Sequence, residues 1–354
     1  MNARPFVPIL LSATLFGLST PLSKLLLKDI PPVTMVGLLY FGAFSGLTLY
    51  IGARRLFSLS RRAPDARSHE PIGRRDLPWL AGAILAGGIV GPICLMTGLR
   101  TTPGTSASLL LNLEGVATAL LAVLFFREQA GRRTWLALAT MTAAGVLTTW
   151  DQGRGRIEAL GPLLILAAMF CWGLDNNLTR NISDKDPALV ARIKGLAAGT
   201  FSLGLALAVG ENPRIVPSMG AALGVGAVCY GLSLVLFIGS LKRLGAFRTG
   251  ALFSLAPFAG AAASLPLLGE RPAWTLAPSA ILMVLGAVLL AGEKHAHSHK
   301  HTRATHFHTH VHGDLHHDHP HREIPEEPHS HDHDHPETEH VHGHWPDVHH
   351  RHGH

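Results

Sequence analysis

Two groups of residues in this 354-residue sequence have the types and spacing to do chemistry. The first centres on Glu114, which lies near the middle of an apolar run from Thr105 to Phe126. A carboxylate at the centre of a membrane-spanning helix costs about 2.5–3.5 kcal/mol on insertion scales. Such a group persists where it faces a wet cavity, pairs with a cation, or holds a proton. Glu114 is therefore a candidate for binding a proton or cation in competition with a solute. The plainer role is a hydrogen-bonded packing group beside Asn112 or Thr118. A second polar cluster, Asp175, Asn176 and Asn177, ends another apolar run, and Lys194 begins the next. Antiparallel neighbours would bring Asp175 and Lys194 to the same depth, where an ion pair would relieve both desolvation costs. That pair is either a gate or substrate group, or a structural contact. Lys194 could instead reach for the interface.

The second group is a histidine-rich tail. Residues 294–354 hold 23 of the 24 histidines. They recur as His-x-His in four sets: His295, His297, His299 and His301; His306, His308, His310 and His312; His329, His331, His333 and His335; His340, His342 and His344. Imidazoles at that spacing can chelate Zn, Ni, Co or Cu as divalent ions, with nearby carboxylates helping. The tail has almost no apolar content, so no core forms and disorder is expected. A role as a pH-responsive polyelectrolyte is the competing reading, since histidine titrates near pH ~6.5. No bound cofactor is required by any motif.

These groups need elements to position them. The chain is 47% hydrophobic and 15% charged, with a mean hydropathy of +0.25, too apolar for a soluble domain of this size. About 20 apolar residues cross a bilayer as a helix. Ten such spans are expected: Phe6–Leu27, Val33–Gly52, Trp79–Gly98, Thr105–Phe126, Thr134–Trp150, Leu160–Leu178, Ala188–Val209, Ala221–Leu241, Gly250–Leu268 and Trp274–Leu290. The runs are continuous and lack the alternation of a barrel wall. Cys94, Cys171 and Cys229 lie inside apolar runs without metal or disulfide spacing and read as packing residues. The Gly-rich stretches 86–88 and 224–226 read as sites of close helix packing. They are followed by no Lys-Ser/Thr, so they are not phosphate loops.

With the N-terminus inside, inner connections carry 16 Lys or Arg and outer ones 6. That bias places both termini in the cytoplasm. The basic excess is juxtamembrane and does not call for nucleic acid. An internal repeat is also legible. Phe16-Gly17-Leu18 with Lys24 matches Trp172-Gly173-Leu174 with Arg180, and Leu111 to Glu128 matches Phe253 to Glu270 without a gap. Each half then carries five spans, and an odd number inverts the second half, as in secondary transporters.

The sequence resembles the drug/metabolite transporter superfamily in its EamA-type branch. The resemblance rests on Leu120 to Glu128, Gly145-Val146-Leu147, Phe170 to Gly173, Leu255-Ala256-Pro257, Gly269-Glu270 and Gly286 to Leu290. It covers roughly residues 5–292. It implies an exporter or exchanger of small metabolites or drugs with no bound cofactor. At Glu114-Gly115 the first half departs from the Ala256-Pro257 of the second, and the tail lies outside the family core.

The expected architecture is therefore an all-α integral membrane protein of ten helices in two inverted five-helix repeats, residues 5–150 and 158–292, with a disordered cytoplasmic tail at 293–354. The expected function is secondary transport, most simply export, of a small metabolite, drug or metal chelate across a bacterial cytoplasmic membrane. Glu114, Asp175, Lys194, Asn112, Asn176 and Asn177 are the candidate transport residues. A divalent-metal exporter fed by the tail is the first alternative. A membrane-anchored metal buffer without transport is the second. The partners expected are the lipid bilayer and a small solute or metal ion. No nucleophile–base pair or cofactor fingerprint points to an enzyme.

Overall fold

The computed structural model describes residues 6–58, 71–126, 131–150, 156–182, 185–211, 217–291, 295–301, 304–310, 329–335 and 338–344. The chain divides into two units, Met1–Glu293 and Lys294–His354.

The first unit is helical throughout its described length. Its first five passes are α1 (Val7–Leu26), α2 (Pro32–Ser58), a third made of α3 (Leu77–Ala83), a π-helical segment Ile84–Val90 and α4 (Gly91–Leu99), a fourth made of α5 (Gly104–Leu110) and α6 (Leu113–Phe126), and α7 (Arg132–Trp150). The next five are α8 (Arg156–Arg180), α9 (Pro187–Ala208), an eighth of α10 (Pro217–Val225), π-helical Gly226–Leu232 and the start of α11 (Ser233–Phe253), a ninth of the end of α11 and α12 (Ala256–Leu268), and α13 (Leu276–Ala291). Among the described residues, seven passes are long and apolar enough to cross a membrane alone. Ala256–Leu268 and Leu276–Leu289 are shorter apolar helices.

The inverted repeat is written into the backbone. The π-helical segments begin at Ile84 and Gly226, 142 positions apart, the same offset as the match of Leu111 to Phe253. The fourth pass breaks at Leu111–Asn112, and the ninth at Ser254–Leu255. Packing obeys the exchange too. The first pass lies on the ninth, and the sixth on the fourth, while the second pairs with the seventh and the fifth with the tenth. Two glycines show how close these contacts are. A Cβ on Gly17 would come within 2.9 Å of the Gly260 nitrogen, and one on Gly173 within 2.8 Å of the Thr118 nitrogen. Small residues let helix backbones approach where no hydrophobic force separates helix from lipid.

One expected boundary differs. The segment 242–249, read as a connection between the eighth and ninth spans, keeps helical backbone within α11. The helix nevertheless turns back on itself. Phe237 and Phe253 would stand about 24 Å apart on a straight helix, yet their ring centroids lie 4.8 Å apart. The reversal is a tight helical turn, which hydropathy does not distinguish from a loop.

The bundle has two unlike ends. Leu27, Ile30, Met35, Leu95, Met96 and Leu99 form part of a continuous buried cluster at the end carrying the turns 27–31 and 100–103. Among the described residues, the opposite end, at the turn after α8, holds the small buried cluster Leu80, Ile182 and Val190.

In the second unit, four seven-residue strands pair as two antiparallel ribbons. Strand β1 (His295–His301) pairs with β4 (Thr338–His344), and β2 (Ala304–His310) with β3 (His329–His335). The ribbons leave the expectation of a disordered tail in place, because strand pairing alone supplies no core. His-x-His alternation matches the two-residue period of a strand. Little that is apolar is available for a core, and isolated two-stranded ribbons are marginal in water. His312 lies outside the described residues, as do the side chains of the other tail histidines.

Candidate transport cavity

A cavity of about 520 Å³ lies between the halves of the bundle. It runs from Phe16 and Glu114 at mid-depth to Lys185 and Pro187 at the less packed end. Each wall follows from local sequence. The break at Leu111–Asn112 starts α6 afresh, and Glu114 sits in its first turn. Asp175 and Asn176 are adjacent on α8, and Lys194 comes from α9.

Lys194 Nζ stands 2.6 Å from both Asp175 carboxylate oxygens. The two side chains retain 17% and 13% exposure, so the pair is sheltered but reaches the cavity. Thr179 Oγ1 donates to Asp175 Oδ1 at 2.9 Å. Asn176 Nδ2 donates to Glu114 Oε1 at 2.8 Å and to Thr118 Oγ1 at 3.1 Å. The Thr118 hydroxyl in turn donates to the Glu114 carbonyl at 2.8 Å. Glu114 is thus held by a neutral amide rather than by a cation.

Part of the remaining wall is aromatic. Phe16 packs edge-on against Tyr230 at 5.6 Å and lies tilted against Phe253 at 5.4 Å. Tyr40 lies 6.3 Å from Tyr230. Within the π-helical segment, the Gly87 carbonyl accepts from Tyr40 Oη at 2.8 Å and from Trp172 Nε1 at 3.0 Å. Gly87 is needed for a second reason. A Cβ there would collide with the Asp175 carboxylate. π-Helical segments recur at functional sites, where they offset the helical ladder locally.

The structure therefore brings Glu114, Asp175, Asn176 and Lys194 together around one cavity. It does not bring Asn112 or Asn177 there. Asn112 Nδ2 donates to the Leu109 carbonyl at the helix break, at 3.2 Å. Asn177 Nδ2 donates to the Gly173 and Thr118 carbonyls, tying α8 to α6. Of the glycine stretches, Gly226 packs against the α2 backbone at Leu39, whereas Gly224 has open space around it.

The model of the EamA-like transporter family matches this chain over residues 6–150 and 159–292. The chain belongs to the EamA-like transporter family. An uncharacterized transporter of Methanothermobacter thermautotrophicus is 28% identical over 297 residues, covering 80% of this chain and 85% of that protein. A solved crystal structure of a protein shares the fold at a TM-score of 0.56 and 18% identity, over 82% of this chain and 97% of its own. The chain is thus a multi-pass membrane transporter of small substrates.

In this EamA chain the aromatic wall was the part hidden from sequence. Tyr40, Trp172, Tyr230, Phe237 and Phe253 read as ordinary apolar span residues. Only Trp172 and Phe253 carried a signal, through their repeat matches to Phe16 and Leu111, and the three rings line the cavity.

Proposed function

We propose that this EamA chain is a secondary exporter of a small organic solute or metal chelate with an apolar body and a polar head. One observation carries the reading. A cavity at mid-membrane depth sets an ion pair and a separate carboxylate against an aromatic wall. Pockets of this kind hold a ligand's body by apolar contact and orient it through a few polar groups. Cations also sit favourably against aromatic faces. Glu114 serves as the coupling group that a proton or cation occupies in alternation with the solute. Lys194 and Asp175 form the polar end that the solute's head engages. The Lys/Arg bias places both termini in the cytoplasm, and the cavity then opens to the cytoplasm for loading. A bacterial cytoplasmic membrane is the setting proposed. The His-rich tail binds divalent transition metal and makes the protein responsive to it. Among the described residues, no group of three or more His, Cys, Asp or Glu is placed to hold a metal ion, which favours an organic cargo over a bare ion.

The test compares cells expressing the full chain, a truncation after Glu293, and Glu114→Gln at equal membrane levels. Extracellular organic solutes and cellular Zn, Ni and Co are measured together. The expected result is an organic solute exported by the first two, with export reduced at least about tenfold in the third, the effect of losing one charged contact. If Zn, Ni or Co falls instead, and Glu114→Gln abolishes the fall, the cargo is a bare metal ion. If metal content tracks the tail alone, the protein is an anchored buffer.

A further inference from the structure

The end of the bundle away from the cavity contains polar groups that a purely structural closure does not need. Lys24 Nζ donates to the Leu99 carbonyl at 2.8 Å and the Thr102 carbonyl at 2.5 Å. It thereby ties the end of α1 to the turn before α5. Glu270, just beyond α12, accepts from the Gly104 nitrogen at 2.5 Å and the Thr105 nitrogen at 2.9 Å. That contact joins the ninth pass of one half to the fourth pass of the other. Both contacts are charge-assisted, the strong class of hydrogen bond. At the same end Glu211 accepts from the Thr34 nitrogen at 2.8 Å and its hydroxyl at 2.9 Å. A second cross-half clamp thus stands beside the first.

Beneath these contacts lie buried hydroxyls without partners. Ser23 Oγ, Thr102 Oγ1 and Ser108 Oγ are each enclosed and make no hydrogen bond. All three residues are 0% exposed. Leaving a buried polar group unsatisfied is costly, so an arrangement that never opened would have reason to lose them. The repeat accounts for Ser23. The register that pairs Phe16 with Trp172 also pairs Ser23 with Thr179, and Thr179 lines the open cavity. It likewise pairs Ser19 and Thr20 with Asp175 and Asn176. The far end is the cavity's own counterpart, closed.

We propose that Lys24 and Glu270 are the latch of a second vestibule, and that Ser23, Thr102 and Ser108 line it when it opens. The cargo passes from Glu114 into this hydroxyl-lined half. The vestibule suits a solute that accepts or donates hydrogen bonds and carries no fixed demand for a counter-charge. The assignment rests on the chain being a transporter, and is independent of which solute it carries.

The experiment reads accessibility rather than transport. Cys94, Cys171 and Cys229 are replaced by Ala, and single cysteines are introduced as Ser23→Cys or Thr179→Cys. Membrane vesicles of both orientations are treated with a membrane-impermeant maleimide. With the latch intact, Thr179→Cys reacts from one side and Ser23→Cys from neither. Adding Glu270→Gln or Lys24→Gln makes Ser23→Cys react at least about tenfold faster, from the side opposite to Thr179→Cys, while Thr179→Cys slows. A tenfold change corresponds to a modest shift in a two-state equilibrium. Protection of Ser23→Cys in both latch variants overturns the proposal, as does reaction from the same side as Thr179→Cys. If both variants fail to reach the membrane folded, the contacts belong to overall stability and the proposal is also overturned. Failure of the cargo reading would leave these labelling patterns unchanged.

Discussion

Asp175→Asn and Lys194→Met test whether the ion pair is held by charge complementarity. In the native chain the ammonium bridges both carboxylate oxygens at 2.6 Å, and Thr179 adds a third contact to Asp175. Removing one partner of a buried pair costs about 3–5 kcal/mol, because the survivor is left uncompensated. Here the cavity supplies water to both side chains, which retain 17% and 13% exposure. A cost of about 2–3 kcal/mol is therefore expected for either single change. At roughly 2 °C per kcal/mol for a chain of this length, each should lower the Tm of the detergent-solubilised protein by about 4–6 °C. The double variant removes both charges and should recover most of that loss. Interaction energies of this size are well above the additivity error of about 0.5 kcal/mol. The assay is the Tm of all four proteins under one detergent and salt condition. If the two losses simply add in the double variant, the pair does not act as a unit. Its assignment as the polar end of the cavity would then fall.

Glycine substitutions give a sharper spatial test. Gly87→Ala drives its Cβ into the Asp175 side chain and Gly17→Ala into the Ala256 carbonyl, so each should cost about 1–3 kcal/mol of stability. Gly204→Ala, in α9 with nothing within 4 Å of the added methyl, should be neutral or stabilise by up to about 1 kcal/mol. Equal Tm values for the three would refute the packing described. Truncation after Glu293 should abolish Ni binding in titration calorimetry and leave the Tm of the membrane core within about 2 °C, since the tail offers little apolar surface to bury. A large Tm loss would show that the tail supports the core.

The legible features were those with a one-dimensional signature. Ten apolar runs, the odd-numbered repeat and the depth of Glu114 all follow from spacing along the chain. The partner of Glu114 did not. Asn112 and Thr118 are near in sequence, but Asn176 is near in space, and only the packing of α6 on α8 brings it within 2.8 Å. Asn177 shows the same limit in reverse. It sits beside Asp175 and Asn176, yet one helical step of about 100° per residue turns it into the interface with α6. The Gly87 carbonyl was invisible because a backbone acceptor carries no residue-type signal. The bend within α11 was missed because 242–249 is polar enough to read as a loop while its backbone stays helical.

The repeat also shows where this chain breaks its own symmetry. Backbone features recur in both halves: the π-helical segments, the helix breaks, and the paired contacts of Gly17 with Gly260 and of Gly173 with Thr118. The charge of the cavity does not recur. Glu114 faces Ala256 under the match, Asp175 faces Ser19, and Asn176 faces Thr20. A fold that alternates between mirror-like states needs equivalent backbones so that either half can close with similar energy. It does not need equivalent side chains. Placing Glu114 and Asp175 in the cavity and the uncharged Ala256 and Ser19 in their counterpart positions makes the two vestibules electrostatically unequal. Lys24 and Glu270, whose charges are spent on backbone groups at the closed end, oppose opening of the hydroxyl-lined side. The resting state is then the one in which the charged cavity is accessible, and a solute moves onward only when the free energy of its binding, together with that of an ion at Glu114, exceeds the strength of the latch.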